Sequence, residues 1–493
     1  MRSRFIVPLL LLGAGNLAPI VMAQSQGVFS STGHLTTERM FHTAALLTNG
    51  KVLVAGGSAT LGGFSVWASA ELYDLSTGTF SATGSMNTPR VGHTATLLPD
   101  GRVLITGGNL TFGGALGDSA QVSAELYDPL GGTSTPTGSM AAGRAGHTAT
   151  LLNTGKVLIT GGYSFSADGS QISLSSAELY DPLTGTFQAT SNMAAGRAAH
   201  TAVLLGDGKV LIEGGGGGSC TVAPNPELYD PVTGAFNLTG SSAYPALFPV
   251  AASLLANGSV LTTLDAGCDF DNRTEVYNSS NGTFASAANM TTDRGYSTAT
   301  LLPDNSVLIT GRDASRVGGS AELYNPSTGA FSAANGMFPQ SEEGHTATLL
   351  PNGAVLLAGG WICCGFSVAN AELYNPAELT PSPVLYSLSS GGLGQGAIWH
   401  AATGQIASAS SPAVAGDVLS MYTTSLIEGG VIPPQIAVGA QPAEILFFGD
   451  APGYPGYFQV NFRVPSGVAP EPAVPVRLTY LNRSSNAVTI AVQ

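Results

Sequence analysis

Residues 93–108, His93-Thr-Ala-Thr-Leu-Leu-Pro-Asp-Gly-Arg-Val-Leu-Ile-Thr-Gly-Gly108, contain the pattern that decides the fold. Two short apolar runs flank an Asp-Gly turn, and this predicts a β-hairpin because glycine accepts a positive φ. An Ala-Glu-Leu-Tyr-Asp strand follows at residues 124–128. After another turn comes a fourth strand, so the unit is predicted to be a sheet of four antiparallel strands.

This unit occurs seven times, at spacings of 46 to 54 residues between the positions of its second glycine, which Ala266 and Arg312 occupy in the two weaker copies. The copies start at His42, His93, His147, His200, Val250, Ser297 and His345. The third strand places a tyrosine at Tyr73, Tyr127, Tyr180, Tyr229, Tyr277, Tyr324 and Tyr374. One such sheet cannot bury both of its faces, whereas radial stacking of copies does. The repeat therefore predicts an all-β fold with a seven-bladed β-propeller.

The last copy lacks a fourth strand, because no Thr-Gly-Thr-Phe segment follows Glu372–Asn375. A matching segment lies near the start of the chain, where Gly27–Gly33 resembles Gly78–Gly84 of the first copy. We expect this N-terminal strand to complete blade seven and to tie the two ends of the ring together.

With these features the chain resembles the Kelch-repeat family. The double glycine, the downstream tyrosine and a later aromatic residue are marks of that family, with phenylalanine here in place of the usual tryptophan. An arginine three residues before the repeat histidine also fits, at Arg39, Arg90, Arg144 and Arg197. The resemblance covers about residues 26–378. This segment is similar to the seven-bladed central domain of galactose oxidase.

The chain divides into three predicted segments. Residues 1–23 are typical of a signal peptide, with two arginines, an apolar run at Phe5–Leu12 and small residues before a cleavage site after Ala23. A membrane anchor is the alternative, but the apolar run is too short to span a bilayer. Because of this signal peptide, we expect the protein to be secreted, in the extracellular medium or at the cell surface. Residues 24–378 form the predicted propeller.

Residues 379–493 are predicted to form an immunoglobulin-like β-sandwich. Short alternating strands with Gly and Pro turns occur here, among them Val418–Tyr422, Glu444–Phe448 and Val488–Val492. The segment resembles a C-terminal module of secreted bacterial proteins. Galactose oxidase also has a sandwich after its propeller, so the order of domains agrees.

Composition excludes several classes of partner. The 493 residues include 17 Lys and Arg against 31 Asp and Glu, which gives a formal net charge of −14. Nucleic acids and anionic membranes are held by clustered basic residues, which the mature chain does not have. No later segment is long and apolar enough to span a membrane. We expect no nucleic-acid partner, no membrane span and a monomeric protein.

The links between the second and third strands of each unit are long and varied, and all should open on one face of the ring. Varied loops on a rigid scaffold are the usual place for binding. Aromatic side chains in these loops suit sugar rings; the alternative is that they pack the loops onto the blades. The aromatic ligand-binding candidates are Trp67, Phe112, Tyr163, Phe165 and Trp361.

Blades five and six bring charged residues together in a chain where only 10% of residues are charged. A polar ligand or a cation could bind there, and internal ion pairing is the alternative. The charged ligand-binding candidates are Asp269, Arg273, Arg312, Asp313 and Arg316.

The four cysteines also lie in the long loops. Cys220 and Cys268 occupy equivalent places on neighbouring blades, so a disulfide between them is plausible. Cys363 and Cys364 would then form a vicinal disulfide beside Trp361. A metal site is the competing interpretation, but no histidine accompanies the pair at ligand spacing.

No catalytic set is found in the sequence. A histidine repeated around the ring is most simply structural, and we expect it to bond to backbone inside each blade. Several of the repeated glutamates should pair with the repeat arginines. The resemblance to galactose oxidase implies a copper site with a Tyr-His pair, but no tyrosine directly precedes a histidine in this sequence. We therefore predict no catalytic residue, no metal and no cofactor.

The leading hypothesis is a secreted Kelch-repeat protein that binds an extracellular glycan or protein through its long-loop face. The alternatives are a copper oxidoreductase of the galactose-oxidase type and a passive component of the cell surface or matrix.

Overall fold

The computed structural model describes residues 27–60, 65–111, 120–166, 168–216, 223–245, 248–265, 271–313, 319–334, 343–362, 366–376, 384–388, 395–424, 426, 433–439, 441–451, 457–480 and 483–493. These residues form forty β-strands. Within them, no helix is long and apolar enough to cross a membrane. The predicted signal peptide and its cleavage site lie outside the described residues.

Strand β1 (Val28–Ser31) precedes the first blade. Blades one and two contain β2 (Thr43–Leu46), β3 (Val52–Ala55), β4 (Ala70–Asp74), β5 (Thr79–Thr83), β6 (Thr94–Leu97), β7 (Val103–Thr106), β8 (Ala124–Asp128) and β9 (Thr133–Pro136). Blade three contains β10 (Thr148–Leu151), β11 (Val157–Thr160), a loop ribbon of β12 (Tyr163–Phe165) and β13 (Gln171–Ser173), β14 (Ala177–Asp181) and β15 (Thr186–Ala189).

Blades four and five contain β16 (Thr201–Leu204), β17 (Val210–Glu213), β18 (Glu227–Asp230), β19 (Ala235–Leu238), β20 (Phe248–Leu254), β21 (Val260–Asp265), β22 (Thr274–Asn278) and β23 (Thr283–Ser286). Blade six contains β24 (Arg294–Leu301), β25 (Val307–Asp313), β26 (Gly319–Asn325) and β27 (Ala330–Ala333). Blade seven contains β28 (Thr346–Leu349), β29 (Val355–Ala358), a loop ribbon of β30 (Trp361–Ile362) and β31 (Phe366–Ser367), and β32 (Ala371–Asn375).

The seven four-stranded sheets form a closed ring, as the repeat predicts. The first strand of each blade contacts the first strands of both neighbouring blades, so β2, β6, β10, β16, β20, β24 and β28 surround the central axis. The second strands are buried along their length, for example at Val103, Leu104 and Ile105, because each lies between two neighbouring sheets. The fold is therefore a seven-bladed propeller.

The N-terminal strand closes blade seven, which confirms the predicted closure. Strand β1 pairs antiparallel with β32 and forms the outer edge of a sheet in the order β1-β32-β29-β28. Phe29 lies opposite Tyr374 in this register, and their ring centroids are 5.1 Å apart. Phe29 thus replaces the phenylalanine that the outer strand supplies in other blades, such as Phe80 beside Tyr73.

Buried ion pairs inside the blades confirm the expected pairing of repeat arginines with repeat glutamates. The nitrogen–oxygen distances are 2.8 Å for Arg39–Glu71, 3.0 Å for Arg90–Glu125, 2.9 Å for Arg144–Glu178 and 2.6 Å for Arg197–Glu227. Blade six adds a fifth pair, Arg294–Glu322, at 2.8 Å. Each arginine also donates to the carbonyl of the first repeat glycine, as Arg90 does to Gly107 at 2.7 Å. Each Arg–Glu pair therefore holds the start of the long loop against the third strand of its blade.

The repeat histidines join neighbouring blades. His93 Nε2 lies 3.0 Å from the Thr43 hydroxyl of blade one, and His147 Nε2 lies 3.0 Å from Thr106 of blade two. The structural role is as expected. Nε2 bonds to a threonine of the preceding blade, and the backbone of Arg90, in the same blade, also interacts with the His93 imidazole. A Cβ on Gly56 would stand 2.5 Å from His93 Cε1, so the imidazole needs a glycine beneath it.

These buried histidines predict acid sensitivity. Burial, followed by the neighbouring arginines, lowers the pKa of His93 and of His200 to about 3. Burial and Arg294 lower the pKa of His345 to about 4. Below the unfolded-state pKa of about 6.5, only the unfolded chain takes up these protons. We expect the free energy of unfolding to fall between about pH 6.5 and pH 4, by up to about 1.4 kcal/mol per pH unit for each such histidine.

Urea denaturation at pH 7, 6 and 5 measures this slope. His93→Asn removes one group that takes up a proton on unfolding, so the free energy of unfolding should change less steeply with pH, by up to about 1.4 kcal/mol per pH unit. Thr43→Val removes only the hydrogen-bond partner and should leave the slope unchanged. Equal slopes for wild type and His93→Asn would show that His93 takes up no extra proton on unfolding.

The C-terminal segment forms a nearly closed β-sandwich. Its strands are β33 (Ile398–His400), β34 (Val418–Thr423), β35 (Gln435–Val438), β36 (Gln441–Asp450), β37 (Phe458–Arg463), β38 (Glu471–Tyr480), β39 (Arg483–Ser484) and β40 (Val488–Val492). They pair in the order β33-β34-β37-β36-β35-β38, and β38 also pairs with β39 and β40. Leu419, Val460, Val476 and Ile490 are among its core residues, all at most 1% exposed.

Candidate functional site

In five of the seven blades the long loop begins at the glycine pair that follows the second strand, whereas blades five and six have Asp265-Ala266 and Gly311-Arg312 there. The second strand runs antiparallel to the first, so all these loops open on the face where the first strands begin. We call this surface the long-loop face. Both glycines adopt positive φ, for example 64° at Gly107 and 90° at Gly108. The ribbons β12–β13 and β30–β31 belong to these loops.

The described aromatic candidates are partly exposed and are anchored to the blades. Trp67 donates from Nε1 to the carbonyl of Glu38 at 3.0 Å. Tyr163 accepts a hydrogen bond from Asn109 at 2.8 Å, and its ring meets Phe165 edge-on at 5.8 Å. These contacts support the packing role that was the alternative interpretation.

The fourth described aromatic candidate is Trp361. It begins strand β30, and its backbone N–H donates to the Glu343 carbonyl at 2.9 Å. Phe112 lies outside the described residues. A role in ligand binding stays a prediction for all five aromatic candidates.

A ring of backbone surrounds the axis on the long-loop face. It is formed by the residue before the repeat-histidine position, which has a positive φ in Phe41, Gly92, Gly146, Ala199, Tyr296 and Gly344. Some neighbours in this ring are hydrogen-bonded: Gly146 donates to Gly92 at 2.9 Å, Ala199 donates to Gly146 at 2.8 Å and Phe41 donates to Gly344 at 3.1 Å. We call these six residues the rim. Because a positive φ suits glycine, each larger rim residue is held against its own backbone preference.

Tyr296 is the most conspicuous rim residue. Its φ is 49°, and 49% of the surface of the residue is exposed to solvent. Burial of the rest of the ring, followed by the carboxylates of Glu343 and Asp265, raises the pKa of the Tyr296 hydroxyl, while Arg312 acts in the opposite direction. The phenol is therefore neutral near pH 7 and can both donate and accept a hydrogen bond.

Tyr296 lies beside a charged group of residues. Arg312 forms an ion pair with Glu343, whose side chain is only 2% exposed. We call Asp265, Tyr296, Arg312 and Glu343 the mouth cluster. It combines an exposed aromatic ring, a cation and carboxylates where the axis meets the long-loop face. Sequence reasoning named only Arg312 among the ligand-binding candidates. A tyrosine at a position where three other blades have glycine was the signal that could have revealed Tyr296.

The other charged candidates are distributed as follows. Arg273 pairs with Asp271 at 2.6 Å, and its guanidinium carbon lies 5.2 Å from the centre of the Tyr244 ring. Asp313 ends strand β25, opposite Arg294 in the sheet register. Asp269 and Arg316 lie outside the described residues. The ion pairs of Arg273 and Arg312 support the internal pairing that was the alternative, and binding by these residues stays a prediction.

The disulfide predictions concern cysteines that lie outside the described residues. These are Cys220, Cys268, Cys363 and Cys364. Their pairing remains a prediction.

Comparisons with known proteins identify structures that share the fold of this chain. No protein-family profile and no curated protein match the chain. A solved structure described as a novel fungal alcohol oxidase with catalytic diversity among the AA5 family, in complex with copper, matches with a TM-score of 0.61 at 16% identity, covering 95% of this chain and 100% of the oxidase. The structure of YjhT matches with a TM-score of 0.47 at 16% identity, covering 62% of this chain and 100% of YjhT. The chain therefore shares the fold of that oxidase.

The described residues do not fit a copper centre. Among them, no three or more His, Cys, Asp or Glu side chains are grouped so as to hold a metal ion. The five repeat histidines are at most 6% exposed, and each Nε2 faces a threonine hydroxyl. Tyr296 is followed by Ser297, which is hydrogen-bonded to Thr263 at 3.0 Å. The Nε2 atoms of these five histidines, which are donors that copper prefers, are therefore engaged in joining blades.

Proposed function

We propose that this chain is a secreted Kelch-type propeller protein that binds an extracellular carbohydrate or protein through the long-loop face, with the mouth cluster at the centre of the binding surface. Secretion rests on the predicted signal peptide. The binding role rests on the varied loops of one face and on the side chains that surround the axis there.

The observation that carries the proposal is the conformation of Tyr296. A bulky residue in the left-handed region costs on the order of 1–3 kcal/mol, and such strain is concentrated at functional sites. Glycine would satisfy the backbone at this position, as it does at Gly92, Gly146 and Gly344. The ring is half exposed, so packing does not explain why a tyrosine is held there.

The chemistry of the mouth cluster suits a polar ligand with an apolar face. A sugar ring can stack on an exposed tyrosine while its hydroxyls bond to a carboxylate or a guanidinium. A protein loop offers the same combination of an apolar side chain and backbone polar groups. Partly exposed aromatics of the surrounding loops, such as Trp67 and Tyr163, would extend the contact.

Replacing Tyr296 by glycine separates binding from folding. We expect Tyr296→Gly to preserve or slightly raise the melting temperature, because the strain is removed. We expect the affinity for the ligand to fall about tenfold or more, as for a central aromatic residue of a binding surface. A glycan array and a pull-down from extracellular proteins identify the ligand, and calorimetry then compares the variants.

The matched control is Ala199→Gly, which makes the same backbone change at the rim of blade four and should leave affinity unchanged. Unchanged binding by Tyr296→Gly would refute the role of the mouth cluster. Stoichiometric copper in the purified protein would instead favour the oxidoreductase, and the absence of any ligand in both screens would favour a passive surface component.

A further inference from the structure

The C-terminal sandwich has an outer face that the proposed function does not use. In its strands β33, β34, β37 and β36 the inward residues, such as Leu419, Val460 and Phe462, are 0% exposed. Because side chains alternate along a strand, the residues between these point away from the core. One outward row across the four strands consists of Trp399, Ser420, Asn461 and Phe447, and the next row pairs Tyr422 with Gln459. We call these six residues the sandwich face.

Aromatic rings flank the centre of the sandwich face. Trp399 meets Tyr422 nearly edge-on, with ring centroids 5.0 Å apart and an angle of 68° between the rings. Both residues are partly exposed, and Phe447, at the other end of the row, is 45% exposed. Rings that are fixed by a neighbour and open to solvent can stack on the apolar face of a sugar ring.

The centre of the sandwich face holds two amides in a fixed arrangement. Asn461 Oδ1 accepts from the Ser420 hydroxyl at 2.9 Å and from Gln459 Nε2 at 2.9 Å. Among the described residues, the Asn461 Nδ2 donor and the Gln459 Oε1 acceptor have no hydrogen-bond partner, and neither atom is buried. A donor and an acceptor side by side match a sugar hydroxyl, which both donates and accepts.

The two rows of the sandwich face carry no charged residue, in a chain with a formal net charge of −14. The nearest charges on the same side of the sheet are Arg463 and Glu444, which lie opposite each other in the bordering row and form an ion pair at 2.8 Å. A neutral ligand can therefore bind without stripping water from an ionic group, whereas an anionic ligand meets no unpaired cation in these rows.

The size of the sandwich face favours an extended ligand. Neighbouring strands are about 4.8 Å apart, so the row from Trp399 to Phe447 spans about 14 Å. A single sugar would contact only part of this row, whereas several linked sugar units would cover it.

We propose that the sandwich face binds a neutral polysaccharide. Its sugar rings stack on Trp399, Tyr422 and Phe447, and their hydroxyls bond to Asn461 and Gln459. This site is separate from the mouth cluster, and it would hold the protein to a glycan surface by its C-terminal domain.

The test is affinity electrophoresis of the chain that begins at residue 24, in native gels that contain hydroxyethyl cellulose, arabinoxylan, galactomannan or pullulan. We expect at least one of these neutral polysaccharides to retard the protein. Trp399→Ala and Gln459→Leu should each weaken the apparent affinity about tenfold. Gln459 is partly exposed and contributes no core contact, so its variant remains informative if Trp399→Ala fails to fold.

The matched control is Val414→Ala, which shortens a side chain of the same domain that is 44% exposed and lies outside the sandwich face. It should be retarded as the unchanged chain is. The proposal is overturned if none of the polysaccharides retards the protein, or if Trp399→Ala and Gln459→Leu are both retarded like the unchanged chain.

Two further results would also overturn the proposal. Retardation that is lost in Tyr296→Gly but kept in Trp399→Ala would assign the polysaccharide to the mouth cluster, so the two proposed sites can fail independently. A dimer in size-exclusion chromatography that Trp399→Ala dissociates would show that a second copy of the chain covers the sandwich face.

Discussion

Replacing Arg90 by methionine is expected to lower the free energy of unfolding by about 3–5 kcal/mol. The guanidinium is fully buried and contacts Glu125, the Gly107 carbonyl and the Ser123 carbonyl. Methionine fills much of the same volume but leaves the Glu125 carboxylate, 2% exposed, without its counter-charge. The loss arises mainly from this stranded charge, because the net contribution of a buried ion pair is itself small.

A second substitution tests that explanation. The double variant Arg90→Met with Glu125→Leu removes both charges, and we expect it to recover part of the lost stability in urea denaturation. Lys51→Ala serves as the control, because its pair with Asp74 is 40% and 28% exposed and should be worth less than about 1 kcal/mol. A double variant no more stable than Arg90→Met would contradict the explanation by stranded charge.

Deletion of residues 24–31 is expected to have an effect of similar or larger size. It removes strand β1, so Phe29 no longer packs against Tyr374 and the hydrogen bonds of β32 on that side are lost. Loss of a fully buried phenylalanine costs about 3–5 kcal/mol; Phe29 is partly buried, so its own share is smaller and the lost pairing of β32 adds to it. The unpaired edge of β32 would in addition be open to pairing with another chain.

Differential scanning calorimetry and size-exclusion chromatography measure both consequences. We expect a melting temperature lower by about 10 °C or more and the appearance of oligomers. A shorter deletion, of residues 24–26 only, leaves β1 intact and should behave as the chain that begins at residue 24. If the two deletions melt at the same temperature, closure by β1 contributes little to stability.

The architecture could be predicted from the sequence because the copies of the repeat can be compared with one another. Seven tyrosines, a missing outer strand after Asn375 and a matching segment at Gly27–Gly33 together predicted both the number of blades and their closure. The Arg–Glu pairs followed from the cost of burying a lone carboxylate. Arg294 was missed because its blade has Ser297 in place of histidine, although the spacing of three residues is the same as in Arg90 and His93.

The remaining features depended on contacts between units that a repeat does not reveal. Strand β38 was missed because Pro472 and Pro475 argue against a long strand, yet it alternates buried residues with exposed ones. The threonine partners of the histidines lie on the neighbouring blade. The mouth cluster combines side chains of several blades, and only the ring geometry shows that Tyr296 is close to Glu343.

The closure of the ring also has a consequence for how the chain is made. Ser30 is hydrogen-bonded to Asn375, 345 residues away, so translation delivers the first partner long before the second. Until β32 leaves the ribosome, β1 has no strand with which to pair, and the six complete blades form an open ring. Contacts of such separation slow folding and leave intermediates prone to aggregation. The unpaired edges at that gap therefore leave the nascent chain open to aggregation until its last blade emerges.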